Sequence, residues 1–434
     1  MNTTNSLLQF IKKATSPYHV VKEGITLLEK YGFEKLDFKN SWGLKKGGCY
    51  YTTPYDTCLF AFIIGSSIEH TPSFRIGASH TDHPGFRIKP KADLSEKIYC
   101  KLNTETYGGP ILNTWLDRPL SIAGKVSLKS SHPFFPETRL IDVQKPILTI
   151  PNLAIHLNKT INQGTELNKQ TDLCPLFSIR NKNVENDKDI FLSYLAKQLD
   201  TTKDTILDYD LYIYNAEEGC LLGACDDFIS SPRLDNLTSV YALLESLISC
   251  SSQIQASKKH VSLAACYDNE EIGSRSKQGA DSMITSIILK KIYQGLHLSN
   301  DNFINSVMDS FCISADVAHG LHPNYVSKYD PTNIALLNNG VVLKLNYNQR
   351  YATDTEAIAA IQQICHSSNI KYQKFVNRSD QPGGGTLGSI LSSWLPIKTA
   401  DLGVPLLAMH SARELMGTKD QEALSSLMKT FFTL

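Results

Sequence analysis

Five short segments of the sequence place a histidine or a carboxylate directly after an apolar run or beside a turn. The segments are GASHTDHPG, SPRLDNL, CYDNEEIGS, ISADVAHG and LAMHSARE, and their candidate residues are His80, Asp235, the doublet Glu270–Glu271, Asp316 and His410. Open α/β sheets bind ligands beyond the carboxyl ends of their strands. We therefore expect these side chains to project into one shared cleft.

Two histidines, two aspartates and a glutamate are ligand types that suit two hydrolytic zinc ions. Zn²⁺ binds imidazole nitrogen and carboxylate oxygen, and a catalytic zinc keeps one position open for water. Two zinc ions about 3.5–4 Å apart need a bridging carboxylate and can share a hydroxide. Glu270 and Glu271 can divide the work, one binding metal and the other acting as general base. Cobalt and manganese also fit such ligands, so the sequence leaves the native metal open.

Each of these residues has a simpler explanation when it is taken alone. A histidine at a strand end is more often a satisfied polar residue than a metal ligand. Asp235 stands where it can cap the following helix, and two glutamates after a strand are usually a solvated turn. The functional interpretation depends on all five segments sharing the same strand-end or tight-turn context.

Hydrophobic periodicity predicts the elements that hold these segments. Helices are predicted over 5–31, 188–199, 278–294, 354–368 and 387–394, after Asn236 and from Ser411; strands are predicted over 55–66, 73–79, 122–128, 146–150, 260–267, 311–315, 341–348 and 404–409. The polar stretch 158–190 is predicted to be a loop. Strands alternate with helices from about residue 228 onward, which indicates an α/β fold with a mainly parallel, doubly wound sheet.

The simplest domain organisation is one α/β domain that is interrupted by a β-rich insert. Residues 1–90 and 229–434 form the predicted catalytic domain, and residues 91–228 form the insert.

Composition excludes several classes of partner. The 434 residues carry 43 basic and 43 acidic side chains, so the basic excess of a nucleic-acid-binding protein is missing. No uncharged apolar run approaches 18 residues, and the first residues lack a secretory pattern, so we expect a cytoplasmic protein without a membrane partner. The ten cysteines show no CxxC spacing and are expected to be reduced core residues.

Longer motifs in the sequence resemble the M18 family of metallopeptidases, and in particular the aspartyl aminopeptidases. The matching segments are HTDHPGFRIKP (80–90), TYGGPILNTWLDRPLSIAGKV (106–126), PNLAIHL (151–157), RLDNL (233–237), DNEEIGSRSKQGADS (268–282), SADVAHGLHPNY (314–325), NQRYATD (348–354) and DLGVPLLAMHSARELMGTKD (401–420). The resemblance runs through nearly the whole chain and is weakest over 160–200 and 283–308. It implies a zinc-peptidase type of α/β fold and an aminopeptidase that hydrolyses the N-terminal residue off peptides.

The resemblance also implies two zinc ions per subunit. His80, Asp235 and Asp316 would hold one ion. Asp235, Glu271 and His410 would hold the other, with Asp235 as the bridging ligand.

Two further carboxylates complete the implied catalytic set. Glu270 would be the general base that takes a proton from the metal-bridging water as it attacks the scissile carbonyl. Asp82 would orient the imidazole of His80, as metal-bound histidines usually require.

Residues for substrate binding follow from the same resemblance. Lys344 and Tyr351 match residues that line the pocket for the first side chain, and a buried lysine suits an acidic residue. Without the resemblance, Lys344 would be read as a strand-surface lysine. His319, three residues after Asp316, would stabilise the tetrahedral oxyanion or contact the substrate.

The insert is expected to mediate assembly. His156 resembles a histidine that the insert, a dimerisation domain in the family, donates to the active site of a neighbouring subunit. The active unit would then be a homo-oligomer, at least a dimer, and family members often form a tetrahedral dodecamer.

Two features depart from a simple match. His83 stands where the family commonly has a small residue, and it can either perturb metal affinity or face solvent. The segment GGGTLG at 383–388 satisfies the GxGxxG pattern of dinucleotide sites, but a Pro-Gly loop precedes it. We interpret it as a tight turn before the helix at 387–394.

The sequence leaves several alternatives to an acidic-residue aminopeptidase open. They are a neutral-residue (Leu-type) aminopeptidase of the same family, a carboxypeptidase or deacylase of the same metallohydrolase class, and a non-catalytic shell or cargo scaffold. The complete ligand set argues against the scaffold. The sequence lacks the GxSxG and HExxH motifs, so serine hydrolase and zincin mechanisms are disfavoured.

Overall fold

A computed structural model describes residues 3–180 and 189–434. The chain divides into two compact units. The first comprises the residues through Asp82 together with Gly219–Met409 and Glu414–Leu434, and the second comprises His83–Glu218 and His410–Arg413. The insert boundaries at 91 and 228 and the role of the insert in dimerisation stay predictions.

The helices are short to medium in length and are distributed through both units. In chain order they are α1 (Thr3–Lys13), α2 (Pro17–Lys30), α3 (Ile190–Gln198), α4 (Leu234–Ser249), α5 (Ser251–Ser257), α6 (Ile284–Gly295), α7 (Phe303–Met308), α8 (Thr355–Ser367), α9 (Leu387–Trp394) and α10 (Thr418–Thr433).

Within the described residues, three sheets are formed by strands that are numbered in chain order. They are β1 (Glu34–Lys35), β2 (Cys49–Thr52), β3 (Leu59–Ile64), β4 (Phe74–His80), β5 (Gly85–Glu96), β6 (Tyr99–Tyr107), β7 (Leu120–Leu128), β8 (Glu137–Asp142), β9 (Leu176–Ile179), β10 (Ile206–Asn215), β11 (Cys220–Leu222), β12 (Phe228–Ser231), β13 (Val261–Tyr267), β14 (Phe311–Ala315), β15 (Ala318–His319), β16 (Val341–Leu345), β17 (Tyr372–Val376), β18 (Lys398–Gly403), β19 (Pro405–Leu407) and β20 (Glu414–Gly417).

The first unit is built on a nine-stranded sheet with the order β1-β2-β3-β13-β4-β14-β18-β16-β17. Its four central strands, β13, β4, β14 and β18, run parallel to one another. The antiparallel neighbours β3 and β16 flank this parallel core. The mainly parallel α/β fold predicted from the sequence is therefore confirmed.

Both faces of this sheet are covered by helices, because the central strands are apolar on both sides. Along β3, Leu59, Ala61 and Ile63 pack into one core with α4 and α10. The alternate residues of β3 pack into a second core with α6 and α9. A strand that is buried on both faces is a continuous apolar run, as the sequence LFAFII shows.

A second sheet of the first unit has five strands in the order β11-β12-β20-β19-β15. The helix predicted from Ser411 is wrong here, because Glu414–Gly417 pairs with β12 and β19 as strand β20. The helix α10 begins only at Thr418. The segment 414–417 pairs with two neighbouring strands, and this pairing determines its conformation although the residues after it are helical.

Other predicted boundaries shift for local reasons. The N-terminal helix predicted over 5–31 is two helices, because Pro17 opens α2 and leaves Ser16 extended. Residues 146–150 form only isolated bridges at Leu148 and Thr149. The predicted helix over 278–294 begins at Ile284. Residue 188, the predicted start of the helix that the structure shows as α3, lies outside the described residues.

The second unit is a six-stranded sheet in the order β8-β7-β10-β5-β6-β9. Its pairings are antiparallel, and the central strand β10 pairs with β7 and β5. The core combines Phe86, Leu102 and Ile122 of the sheet with Phe191 and Leu195 of α3. This antiparallel sheet is the β-rich character that the sequence predicted for the insert.

The structure also tests the expectations for the cysteines and the membrane. All ten cysteines are free; six are buried, whereas Cys220 and Cys225 are exposed. Across residues 3–180 and 189–434, no helix combines the length and the apolar character needed to cross a membrane.

Candidate active site

Three neighbouring parallel strands end at one edge of the large sheet, and a candidate residue lies at each end. His80 is the last residue of β4 and pairs with Tyr267, the last residue of β13. Glu270 follows β13, and Asp316 follows β14. The register therefore brings these side chains to the carboxyl edge, as predicted from the strand-end pattern.

Asp235 reaches this edge from the first turn of α4. Its backbone N–H donates to Oε2 of Glu414 in β20 at 3.0 Å. The next residue, Asn236, donates from its side chain to the carbonyl of Ala315 at the end of β14, at 2.9 Å. Asp235 and Asn236 have non-helical backbone dihedrals inside α4, so the regular helix begins only after them and Asp235 stands at its start.

The buried imidazole of His80 has a defined orientation. Its Nδ1 lies 3.0 Å from the backbone carbonyl of Asp82, which can only accept, so Nδ1 carries the proton in that bond. The other nitrogen, Nε2, lies 3.4 Å from Oδ1 of Asp235 and 3.5 Å from Oδ1 of Asp316. A neutral His80 would thus direct a lone pair toward two carboxylates, and this arrangement is favourable only with a proton or a metal cation between them.

Asp82 holds two parts of the site at once. Its Oδ1 lies 3.4 Å from Nδ1 of His80. The same carboxylate accepts the backbone N–H of Glu270 on Oδ1 and that of Glu271 on Oδ2, each at 3.1 Å. One buried side chain therefore contacts both the imidazole and the backbone of the glutamate doublet, and the orienting role of Asp82 stays a prediction.

The local electrostatics favour a bound cation. Burial, together with the neighbouring carboxylates Asp316, Asp82 and Asp235, raises the pKa of Glu270 to about 8, although His80 opposes the shift. Burial and Asp235 likewise raise the pKa of Glu271 well above its usual value. Crowded carboxylates resist ionising together unless a positive charge neutralises them.

The donor set fits zinc. One ligand atom from each of His80, Asp235 and Glu271 lies within 4.8 Å of the other two. Imidazole nitrogen and carboxylate oxygen are the ligands that zinc takes in hydrolytic sites. Asp316, at 3.5 Å from the same imidazole nitrogen, is a fourth candidate ligand.

Lys344 is a buried cation next to this cluster. Only 1% of its surface is exposed, so the interpretation as a strand-surface lysine is wrong. Its Nζ donates to the carbonyl of Val317 at 3.1 Å and lies 3.5 Å from Oδ2 of Asp316. Burial alone would raise the pKa of Asp316, but Lys344 and His80 hold it below its usual range. The ring of Tyr351 lies 5.2 Å from the same Nζ.

The three other histidines predicted for the site are distributed over the two units. His319 is in β15, with its ring 6.0 Å from that of Phe375. His410 belongs to the second unit, where its Nδ1 donates to the carbonyl of Gly109 at 3.1 Å. His156 is exposed in the second unit.

His83 is buried, which excludes one of the two roles expected for it. The residue is buried in the second unit, with its ring 6.3 Å from that of Tyr212. The alternative that it faces solvent is therefore wrong.

Sequence reasoning missed two buried carboxylates that support the site. Glu414 accepts the backbone N–H of Asp235, and Asp401 is fully buried within β18. Both lie inside the segment DLGVPLLAMHSARELMGTKD that carried part of the family resemblance. The available signal was an aspartate between Ala400 and Leu402 in an apolar strand, because an isolated charge there needs partners.

Comparisons with known proteins identify the family of the chain. The family model described as aminopeptidase I zinc metalloprotease (M18) matches residues 10–432. A probable M18 family aminopeptidase 2 of Clostridium novyi (strain NT) is 44% identical over 431 residues, which cover 99% of this chain and 98% of the relative. The corresponding protein of Clostridium acetobutylicum is 42% identical and covers 99% and 98%.

Solved structures show the same fold. Ape4, determined by cryo-EM in complex with Nbr1, matches with a TM-score of 0.94 at 33% identity, over 99% of this chain and 85% of that one. The S. cerevisiae mApe1 dodecamer matches with a TM-score of 0.85 at 26% identity, over 99% and 96%.

We predict that Asp82→Asn weakens zinc binding by about 10- to 100-fold, as loss of a group that orients a metal ligand typically does. The asparagine amide has only one acceptor atom, so it cannot accept the N–H groups of both Glu270 and Glu271 as the carboxylate does. Zinc affinity would be measured by competition with a chromogenic chelator.

The matched control is Asp420→Asn. Asp420 is also a buried carboxylate that accepts backbone N–H groups, from Asn338 at 2.7 Å and Gly340 at 3.0 Å. This control is expected to keep wild-type zinc affinity. Equal zinc affinity in Asp82→Asn and wild type would contradict the positioning role.

Proposed function

Because the chain belongs to the M18 family of zinc metallo-aminopeptidases, we propose that it removes N-terminal aspartate or glutamate from peptides, using two zinc ions per subunit. The observation that carries this proposal is the buried group of His80, Asp235 and Glu271, whose ligand atoms converge within 4.8 Å. Glu270 and Lys344 adjoin this group through Asp82 and Asp316.

The proposed ligands divide between two ions. His80, Asp235 and Asp316 would hold one, and Asp235, Glu271 and His410 would hold the other. The convergence of Asp235 and Asp316 on one nitrogen of His80 supports the first set. For His410, support comes from the family resemblance and from the hydrogen bond of Nδ1 to the carbonyl of Gly109, which orients the ring. When bound, the zinc ions polarise the scissile carbonyl and lower the pKa of the attacking water.

Glu270 is the proposed proton acceptor. The hydrogen bond from its backbone to Asp82 fixes its position beside the ligand Glu271. Zinc bound beside Glu270 would favour its ionised form. An ionised carboxylate held in this position can take a proton from the attacking water and later deliver it to the leaving amine.

Lys344 is the proposed recognition group for the first side chain. Asp316 raises the pKa of its ammonium although burial opposes this, so Lys344 stays charged. An ammonium has three donors, and the carbonyl of Val317 takes one of them. A carboxylate of the substrate would accept from another.

A second candidate function is removal of neutral residues by the same catalytic groups. The observation that favours it is the 3.5 Å contact between Lys344 and Asp316, which already neutralises part of the lysine charge. In that case Lys344 would serve to hold a metal ligand and would leave the first side chain unrecognised.

The proposed active unit is a homo-oligomer, at least a dimer, in which the second unit provides the dimer contact. His156 of one subunit would complete the site of its neighbour. The exposure of His156 and the dodecameric state of the structurally similar mApe1 support this proposal.

Exchange of Glu270 for glutamine is expected to lower kcat by about 10²- to 10⁴-fold while zinc content stays at the wild-type level. The adjacent exchange Glu271→Gln is the matched control, because it should weaken zinc binding instead. Metal content would be measured by elemental analysis alongside peptide hydrolysis. A near wild-type kcat in Glu270→Gln would rule out its role as the base.

The substrate preference is tested with reporter peptides that begin with Asp, Glu or Leu, before and after chelation. We expect two zinc ions per chain and chelator-sensitive cleavage of the acidic peptides. Lys344→Met should lower kcat/KM for the Asp peptide by about 10- to 100-fold, because a buried charge pair is lost, and should change the Leu peptide little.

A surface variant, Lys398→Met, provides the control for loss of a lysine. Lys398 pairs with Glu356 at 2.5 Å and is exposed. If Lys344→Met instead loses zinc and slows both peptides equally, the lysine acts by holding Asp316. A wild-type preference for Leu would establish the second candidate function.

His156→Ala is predicted to reduce activity without changing zinc content. If the histidine acts in a neighbouring subunit, mixing dissociated His156→Ala and Glu270→Gln chains should restore activity to about a quarter of wild type, since about half of random dimers are mixed and each has one complete site. Mixing His156→Ala chains with chains that carry both His156→Ala and Glu270→Gln should restore no activity. Full activity of His156→Ala alone would contradict the proposal.

A further inference from the structure

Asp401 is a buried carboxylate for which the proposed mechanism has no use. It lies in β18, between β14 and β16, and its exposed fraction is 0%. Its register partner in β14 is Ser314, two residues before the proposed ligand Asp316. A charge buried at this depth needs several hydrogen bonds, and these bonds indicate what it holds.

Three hydrogen bonds connect Asp401 to two separate segments. Its Oδ2 accepts the backbone N–H of Ala352 at 2.5 Å, and its own backbone N–H donates to Oγ1 of Thr353 at 2.8 Å. Its Oδ1 accepts the hydroxyl of Thr386 at 2.6 Å. Ala352 and Thr353 belong to the connection between β16 and α8, whereas Thr386 ends the glycine-rich turn before α9.

The two segments are also joined to each other. The backbone N–H of Thr386 donates to the carbonyl of Arg350 at 3.3 Å. Residues on both sides of Tyr351 are thereby fixed, Ala352 by Asp401 directly and Arg350 through Thr386. Tyr351 is buried between these two anchors, with its ring 5.2 Å from Nζ of Lys344.

Gly388, the second residue of α9, provides the space for this arrangement. A Cβ atom at Gly388 would lie 2.6 Å from Oδ1 and 2.7 Å from Oδ2 of Asp401. Any larger residue would push the carboxylate away from Thr386. The last glycine of GGGTLG is therefore explained by the Asp401 side chain.

We infer that Asp401 is a positioning residue for substrate selection: it fixes Tyr351 against Lys344 and so tunes the discrimination between acidic and neutral first residues. The inference rests on the proposed acidic preference. It assigns to Asp401 no contact with substrate or zinc, and it gives Thr386 and Gly388 the role of holding and accommodating the carboxylate.

The test compares Asp401→Asn with wild type by kcat/KM for Asp and Leu peptides. We expect the ratio of the two to fall by about tenfold with zinc content unchanged, because Tyr351 loses its fixed position while the ligands stay in place. A ratio equal to wild type in a folded, zinc-loaded variant would overturn the inference.

A matched pair at Thr386 covers the case in which Asp401→Asn does not fold. Thr386→Val removes the hydroxyl that donates to Asp401, and Thr386→Ser keeps it. The valine variant should shift the Asp-to-Leu ratio in the same direction, and the serine variant should restore it. Equal ratios in the valine and serine variants would overturn the inference.

A double-variant cycle separates this inference from the proposed function. If Asp401 acts through Tyr351, the effect of Asp401→Asn on the ratio should shrink to less than about twofold when Tyr351 is already alanine. A wild-type enzyme that prefers Leu peptides would contradict the proposed acidic preference, whereas additive effects of the two exchanges would contradict the positioning role of Asp401.

Discussion

The convergence of acidic side chains on one buried imidazole is the constraint on which the rest of the site depends. Asp235 and Asp316 approach the same nitrogen of His80, and Asp82 holds the other side of the ring. In a medium of low polarity, carboxylates this close repel one another strongly, and their pKa values rise unless a positive charge lies among them. Burial, together with this repulsion, raises the pKa values of Glu270 and Glu271. A cluster of this kind is costly to the fold without a cation and becomes favourable with one, which is the physical basis of a metal site.

Each group in the cluster is held by a partner from a different element of the first unit. Asp82, after β4, binds the backbone of the doublet that follows β13. Glu414 in β20 fixes the backbone of Asp235 in α4, and Lys344 in β16 lies beside Asp316. Gly403 in β18 allows the chain to pass close to Asp316, since a Cβ there would lie 1.7 Å from the carbonyl of Asp316. Precise placement of ligands therefore comes from neighbouring backbone and charge, which is how orienting groups maintain metal affinity.

The sequence predicted the parallel core and its edge because both depend on local patterns. Apolar runs such as LFAFII mark strands that are buried on both faces, and a polar residue directly after such a run marks the edge. The prediction from the sequence is wrong where the conformation of a segment depends on strands that are distant in the chain. The segment after Ser411 is a strand because β12 and β19 lie beside it, and neither neighbour is visible in the local pattern. Lys344 resembled a surface lysine for the same reason, because the alternation along β16 does not reveal that both faces of the strand are covered.

A chain of alternating charges links the proposed metal ligands to the proposed pocket. His80 faces Asp316, Asp316 faces Lys344, and Lys344 lies against Tyr351, whose neighbouring residues are held by Asp401. Each member stabilises the charge state of the next, so the ammonium that would recognise a substrate carboxylate also keeps a metal ligand ionised. Coupled charges of this kind do not contribute independently, and the effect of changing one depends on the others. A family member could therefore change its first-residue preference more readily at Tyr351 or Asp401 than at Lys344, because only the lysine is in direct contact with a proposed ligand.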